Sequence, residues 1–213
     1  MFTNTLSKNA TNALALLGRN KILPVNTYLA GGSALALHFG HRVSVDFDFF
    51  TNAHFESEKI AGLLRKLGDF DVDTLTEDTL LGQFMSVKFS LFYYKYPLLF
   101  EPAKFEGINI AATGDISAMK IAAIMDRGTK KDFIDVYFLD KKGTTLEECL
   151  KYYDKKYKAL ANNMYSIITS LSYFVDAEES EMPKMIESIS WKDVKKFFER
   201  EAVRLGKKYL TSK

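Results

Sequence analysis

Residues 31–50, GGSALALHFGHRVSVDFDFF, contain the pattern that most strongly indicates the architecture of the chain. The stretch begins with a Gly-Gly-Ser turn and continues as a short helix that ends at Gly40. A strand over 44–50 follows and carries Asp46 and Asp48. Residues two apart on a strand project from one face, so the two carboxylates lie about 6–7 Å apart along the chain on the same side. The apolar residues that alternate with them predict a buried opposite face.

Two carboxylates on one face repel each other unless a cation lies between them. Mg²⁺, or Mn²⁺, binds such oxygen ligands, and a phosphate-bound divalent ion is what nucleotidyl transfer requires. Gly31 and Gly32 permit close approach of the backbone to a ligand, and Ser33 is expected to cap the helix, whose N–H groups favour phosphate. The glycine turn alone, or the carboxylate pair alone, is common in proteins without this function. Together they predict an NTP site with metal at Asp46 and Asp48.

Outward from this stretch, the patterns predict a mixed sheet followed by helices. In the first part we expect strands over 28–30, 69–75, 83–94 and 107–110, and helices over 4–20, 33–39 and 56–67. Beyond Thr113 nearly everything has helical spacing, with helices expected over 115–126, 129–140, 145–160, 162–174 and 191–208. Asp115 is expected to cap the first of these helices, and the last has an apolar stripe that includes Trp191, Val194 and Phe198. We therefore divide the chain into an α/β core, residues 1–112, and a helical part, residues 113–213.

Composition excludes several classes of protein. With 47% hydrophobic and 14% aromatic residues among 213, the chain has enough apolar material for a sizeable core and is not disordered. The single cysteine, Cys149, excludes an intrachain disulfide and a Cys-rich zinc site. No apolar run reaches 18 residues, so no membrane partner is expected and the cytoplasm is the expected compartment. The net charge of +2 is too balanced to indicate nucleic acid, although residues 192–208 are locally basic.

A second group of charged residues lies in DISAMKIAAIMDRGTKKDFIDVYFL, residues 115–139. Lys120 and Arg127 are seven apart and share a helix face. A lysine in so apolar a helix either extends to solvent or meets an anion, and its compact charge suits a triphosphate.

Asp132 and Asp135 follow in a helix that is apolar nearly all round, so each needs a partner. The candidate partners are Lys120, Arg127 and Lys131. Asp132 could instead complete a capping box with Thr129. For Asp135, an internal ion pair and a catalytic role are about equally favoured by residue type.

These motifs resemble the nucleotidyltransferase superfamily that includes DNA polymerase β and the aminoglycoside nucleotidyltransferases. Its signature is Gly-Gly or Gly-Ser, a spacer of about a dozen residues and then Asp-x-Asp or Asp-x-Glu. More narrowly, the chain resembles the AbiEii/AbiGii toxin family. The run from Gly31 to Phe50 matches the first block of that family, and the lysine helix followed by Lys131-Asp132-x-x-Asp135 matches the second.

The resemblance implies an α+β nucleotidyltransferase (polymerase β-like) fold, with a mixed sheet flanked by helices and an α-helical C-terminal part that completes the active site. It implies a toxin of a type IV toxin–antitoxin or phage-defence system that moves an NMP from an NTP to an acceptor hydroxyl, such as a tRNA 3′ end. It also implies a genomically linked antitoxin that need not touch the toxin. Lys120 and Arg127 would then hold the nucleotide phosphates, and Asp135 would belong to the active site. The supporting residues would be Asp132, Lys131 and Arg42.

The strand next to the acid pair departs from the superfamily pattern. Many members carry a third carboxylate on a neighbouring strand, but the strand predicted over 83–94 offers Ser86, Lys88 and Ser90 on its polar face. Either Asp135 supplies the third acid or the chemistry is weakened. The alternatives are therefore a small-molecule nucleotidyltransferase and an NTP-binding protein without transfer activity.

Overall fold

The computed structural model of the protein describes residues 1–210, and these fall into two compact units that meet in sequence between Ala112 and Thr113. Residues 211–213, with which the predicted helical part ends, lie outside the described residues. Among the residues that are described, no helix is both long and apolar enough to cross a membrane.

The first unit contains a mixed sheet, as predicted, and this sheet has seven strands. Its helices are α1 (Lys8–Asn20), α2 (Gly31–Phe39) and α3 (Ser57–Leu67), preceded by a short 3-10 turn over Thr3–Thr5. Its strands are β1 (Tyr28–Ala30), β2 (Asp46–Thr51), β3 (Phe70–Thr76), β4 (Thr79–Phe84), β5 (Val87–Tyr93), β6 (Ala103–Phe105) and β7 (Ile108–Ile110). The strand order is β3-β4-β5-β2-β1-β7-β6, with β2 parallel to β5 and β1 parallel to β7.

Strand β2 lies in the middle of this sheet, and its two faces differ sharply. Phe47 and Phe49 are completely buried, and the Phe49 ring lies 5.4 Å from the ring of Phe89 on β5. Asp46 and Asp48 are half-buried on the opposite face. Burying each phenylalanine contributes about 1.5–3 kcal/mol. A slip of one residue would move the phenylalanines out and the carboxylates in, so the core fixes the register of the acid pair.

The strand predicted over 83–94 is only half right. The structure has the hairpin of β4 and β5 there, turned at Met85 and Ser86, whose φ angles are 52° and 63°. Such a turn needs positive φ at both central positions and is normally signalled by Asn-Gly or Asp-Gly, which this sequence lacks. The hairpin of β6 and β7 was missed in the same way, because only its second strand is expected from the sequence.

The elements of the second unit, among the residues that the structure describes, are all helices. Its helices are α4 (Thr113–Asp126), α5 (Lys130–Lys141), α6 (Leu146–Tyr157), α7 (Leu160–Leu171), α8 (Val175–Glu179) and α9 (Trp191–Leu210). The short α8 was not predicted. An aromatic cluster forms the core around Phe133 on α5, whose ring lies 5.0 Å from Phe198 and 5.9 Å from Trp191 on α9. This confirms the apolar stripe predicted for the last helix.

Candidate active site

The acid pair lies on the half-buried face of β2, between β1 and β5. The β1–β2 register places Asp48 opposite Ala30, the last residue before α2 begins. The β2–β5 register places Asp46 beside Lys88 and Asp48 beside Ser90. Neighbouring strands therefore bring the start of α2 next to one carboxylate of the pair.

Gly31 explains why the turn before α2 carries no side chain. Its φ of +65° is a conformation that glycine adopts without strain. A Cβ built on Gly31 would also lie only 2.6 Å from Oδ2 of Asp48, so the carboxylate occupies the space that a side chain would fill. Asp48 thus packs against the first residue of α2, near the positive end of the helix dipole.

Ser33 does not cap α2, contrary to the sequence prediction. The helix starts two residues earlier, with Ala30 at the N-cap position, so Ser33 lies within the first turn. Its buried hydroxyl donates a short hydrogen bond to the carbonyl of Asp46, and Oγ of Ser44 lies 2.9 Å away. The side chain therefore ties the start of α2 to the start of β2.

Arg42 packs over the same helix end. Its side chain is almost fully buried, and a Cβ built on Gly32 would lie 2.1 Å from its Nη2 atom. The glycine at position 32 therefore makes room for a guanidinium at the N-terminus of α2. Helix N–H groups and a cation together favour an anion at this place.

The two carboxylates fit a divalent ion that a nucleotide helps to coordinate. Within residues 1–210, no cluster of three or more His, Cys, Asp or Glu side chains is arranged to hold a metal ion. Mg²⁺ rarely needs such a cage, since one or two carboxylates plus substrate phosphates usually hold it. The Asp48 carboxylate lies against Gly31, beside the helix N-terminus. A carboxylate ligand and the N–H groups that favour a phosphate are therefore next to each other.

Strand β5 places no acid beside the pair. Ser90 is buried next to Asp48, and Lys88 is exposed next to Asp46. As the sequence indicated, this neighbouring strand carries no third carboxylate. The residue that pairs with Asp46 is a lysine instead.

The histidines near this site have packing roles. Nε2 of His38 lies 2.8 Å from the carbonyl of Ala111, and burial lowers the pKa of His38. His41 is completely buried, with its ring near the edge of Phe39. Neither arrangement indicates metal ligation.

In the second unit, Lys120 meets two acids. Its Nζ lies 2.9 Å from Oδ1 of Asp132 and 2.7 Å from Oδ2 of Asp135. Both carboxylates are completely buried, and the lysine side chain is 5% exposed. Of the two alternatives for Lys120, extension to solvent or contact with an anion, the structure shows the second, and the anions are the two aspartates of α5.

Asp132 is also bound by residues other than the lysine. Arg127 donates to both of its oxygens, at 3.0 and 3.1 Å, and the Thr129 hydroxyl donates at 2.6 Å. Burial alone would raise the pKa of Asp132, but Lys120, Arg127 and Thr129 together hold it far below its usual range. The capping-box alternative is wrong, because Thr129 donates to the carboxylate and makes no side-chain cap.

A second buried ion pair was not predicted. Asp115, expected to cap α4, lies instead in its first turn, 2.9 Å from Lys156 on α6, and both side chains are completely buried. Lys131, a proposed supporting residue, lies half-buried in the first turn of α5.

Part of the basic charge of α9 is neutralised within the second unit. Glu147 on α6 accepts hydrogen bonds from Lys208, Arg204 and Tyr209, which lower its pKa to about 2. Lys192 and Lys196 lie on the same helix, and both are exposed. The net positive charge on the surface of α9 is therefore smaller than the sequence suggested.

Comparisons with known proteins agree with this geometry. Residues 15–110 match the family model described as "Nucleotidyl transferase AbiEii toxin, Type IV TA system", which includes the glycine turn and the acid pair. An uncharacterized protein of Aquifex aeolicus (strain VF5), aq_aa25, is 44% identical over 179 residues, which cover 82% of this chain and 85% of that protein.

Solved structures show the same fold. JHP933 from Helicobacter pylori superposes with a TM-score of 0.57 at 21% identity, over 97% of this chain and 95% of that one. MenT4, a nucleotidyltransferase toxin from Mycobacterium tuberculosis H37Rv, gives a TM-score of 0.55 at 15% identity, over 93% and 89% of the two chains. The predicted nucleotidyltransferase fold is confirmed by these likenesses.

The Asp132 network predicts a loss of stability in acid. Because the pKa of Asp132 is depressed in the folded protein, its contribution is fully present above its unfolded value of about 4 and is lost as the pH falls towards the folded value. Asp132→Asn should lower the free energy of unfolding by about 3–5 kcal/mol at pH 7, since it weakens a buried charge network. Urea unfolding followed by circular dichroism between pH 3 and 7 measures both effects.

The matched control is Asp73→Asn, which alters an exposed residue of β3 and should change nothing. If Asp132→Asn were as stable as the unaltered protein at pH 7, the network would not stabilise the helical unit.

Proposed function

Since this chain belongs to the AbiEii family of nucleotidyltransferase toxins, we propose that it transfers an NMP from an NTP to a hydroxyl of RNA, with a tRNA 3′ end as acceptor. The acceptor oxygen forms a bond to the α-phosphorus, the bond between the α-phosphorus and the bridging oxygen breaks, and pyrophosphate and a proton are released. The reaction is proposed to depend on Mg²⁺ and to take place in the cytoplasm.

One observation carries this proposal: the Asp48 carboxylate occupies the side-chain space of Gly31 at the N-terminus of α2. A phosphate bound by the N–H groups of that helix end lies directly beside the carboxylate. The two like charges tolerate this closeness only with a cation between them. The arrangement therefore suits a nucleotide bound as its metal complex better than a free anion.

The residues of the first unit divide the task between them. Asp46 and Asp48 would hold the divalent ion, which when bound neutralises the triphosphate and polarises the phosphorus that reacts. Gly31 and Gly32 make room at the helix N-terminus for the Asp48 carboxylate and the Arg42 guanidinium. The N–H groups of this helix end would bind the β- and γ-phosphates, and Arg42 adds positive charge there. The Ser33 hydroxyl holds the backbone of Asp46, so the acid pair and the phosphate seat are fixed to each other.

The roles of the second unit remain predictions. Lys120 and Arg127 are expected to bind phosphates, and Asp135 to act in catalysis with Asp132 and Lys131 in support. The contacts of Lys120 with Asp132 and Asp135 support a role in holding these acids ionised inside an apolar helix pair. Such a role is compatible with catalysis by Asp135, because an ionised carboxylate is the form that binds a metal or accepts a proton.

The acceptor and the partner are proposed from charge and from the family. Lys192 and Lys196 contribute positive charge to the surface of α9, where RNA phosphates would dock. The family description names a type IV toxin–antitoxin system, so we propose a genomically linked antitoxin that need not contact the toxin.

A second candidate function is NTP binding without transfer. The observation in its favour is strand β5, where Lys88 and Ser90 stand beside the acid pair in place of a third carboxylate. A small-molecule acceptor is the other alternative, and the same assay separates all three.

The transfer assay uses each labelled NTP with Mg²⁺ and total bacterial RNA, and measures pyrophosphate release together with label in RNA. The protein should label a tRNA band with one preferred base. Asp48→Asn should slow transfer by at least about 100-fold, the scale of losing a fixed group that stabilises transition-state charge. The control Asp73→Asn, an exposed acid of the same unit, should be fully active.

Magnesium-dependent NTP binding without pyrophosphate release, even when small hydroxyl compounds are added, would favour the binding protein. Pyrophosphate release that needs a small molecule and leaves RNA unlabelled would favour a small-molecule enzyme. Full activity of Asp48→Asn would contradict the site itself.

The docking proposal predicts a separate effect on RNA affinity. The double change Lys192→Glu and Lys196→Glu should weaken binding of tRNA and reduce the salt slope, by about 0.7 for each single-strand phosphate that the variant no longer neutralises. Filter binding of labelled tRNA over a range of salt concentrations measures both quantities. Lys59→Glu, an exposed change on α3, is the control. An unchanged slope would show that α9 does not contact the RNA.

A further inference from the structure

A groove lined by aromatic and amide side chains lies further along the acid-bearing face of the sheet. It has a volume of about 590 Å³ and is formed entirely within the first unit. We call it the aromatic–amide groove and define it by Asn26, Tyr28, Asn52, Tyr96, Phe100 and Asn109. Neither the sequence motifs nor the acid pair accounts for it.

The groove is connected to the acid pair through β2. Phe50 is two residues beyond Asp48 and lies on the same face of the strand. Its ring lies 6.0 Å from the Tyr28 ring in a stacked arrangement and 5.3 Å from the ring of Tyr94, which in turn lies 5.4 Å from Tyr96. Aromatic rings therefore follow one another from the carboxylates to the groove.

We propose that the aromatic–amide groove binds a base of the RNA strand that is being extended. The proposal rests on the proposed RNA acceptor and names where that acceptor's base is held. Aromatic rings accept any base by stacking, and this is how proteins hold single-stranded nucleic acid. Side-chain amides supply donors and acceptors for the edge of the base.

The amides are fixed in position rather than free to rotate. Nδ2 of Asn26 donates to Oδ1 of Asn52 at 3.1 Å, and Nδ2 of Asn109 donates to the carbonyl of Thr27 at 3.0 Å. Both contacts use amide nitrogens, so the carbonyl oxygens of Asn26 and Asn109 remain available to accept hydrogen bonds from a base. A fixed acceptor loses little entropy on binding.

Charge favours a base inside the groove and phosphates at its edge. Among the described residues that line it, Glu101 carries the one charge, and this charge is negative, which disfavours a triphosphate. Outside, Lys95 lies over the Tyr96 ring at 5.2 Å, and Lys104 pairs with Asn109 across β6 and β7. Both lysines are exposed and stand where a backbone phosphate would follow a bound base.

Distance favours the acceptor over the NTP. Asn52 comes directly after β2, four residues beyond Asp48, about 13 Å at roughly 3.3 Å per residue. An NTP whose α-phosphate lies at Asp48 carries its own base within one nucleotide of that point. The groove extends further, to where a base of the attacking strand would lie.

The test measures binding of fluorescein-labelled single-stranded tetraribonucleotides by anisotropy, without NTP, so that no transfer is required. The probes are tetramers of A, C and U and an abasic ribose-phosphate tetramer. Tyr96→Ala and Phe100→Ala should each raise the Kd of the base-carrying probes about 5- to 100-fold, the range found when a base–aromatic stack is removed. Tyr96→Phe should retain binding, and the abasic probe should bind as weakly as Tyr96→Ala binds the others.

Two controls separate this inference from the proposed function. Tyr173→Ala changes an exposed tyrosine elsewhere and should leave binding unaltered. Asp48→Asn should lose transfer yet still bind the tetramers, and Tyr96→Ala should keep its affinity for Mg²⁺-NTP within about twofold. Equal binding of abasic and base-carrying probes, or unchanged tetramer binding by both alanine variants, would overturn the groove assignment even if transfer is confirmed. Weakened NTP binding by Tyr96→Ala with unchanged tetramer binding would assign the groove to the NTP instead, and would also overturn it.

Discussion

The close contact between Asp48 and Gly31 is the constraint on which the first unit depends. The carboxylate can lie there only because position 31 lacks a Cβ, and it is held there because Phe47 and Phe49 anchor β2 in the core. Arg42 repeats the arrangement one residue later by packing over Gly32. The two glycines thus make room for a carboxylate and a guanidinium at one helix N-terminus. This arrangement suits the binding of a metal-bound phosphate.

In the second unit, the main constraint is the burial of two aspartates between the apolar helices α4 and α5. Asp132 and Asp135 are completely buried, and uncompensated burial would favour their neutral forms. Lys120 contacts both, and Arg127 and Thr129 complete the contacts of Asp132. These contacts therefore favour the charged forms of the two carboxylates.

Much of this could be predicted from sequence because it depends on local pattern. Alternation around Asp46 and Asp48 predicted their shared face, and helical spacing predicted the stripe of α9. The errors lay where non-local geometry decides. The β4–β5 turn at Met85 and Ser86 adopts positive φ without the usual residues, so one long strand was predicted where there are two. Ser33 was expected to be a cap because the sequence cannot show that α2 starts at Gly31. The partner of Asp115, Lys156, is 41 residues away and had no local signal.

The central claim is that the acid pair and the start of α2 form one metal–nucleotide site. The most direct measurement is a crystal grown with Mn²⁺ and a non-hydrolysable NTP analogue, with anomalous differences used to locate the metal. We expect a peak between the carboxylates of Asp46 and Asp48, with the β- and γ-phosphates at the N–H groups of Gly31 and Gly32. Nucleotide bound elsewhere, or a peak that persists unchanged in Asp48→Asn, would contradict it.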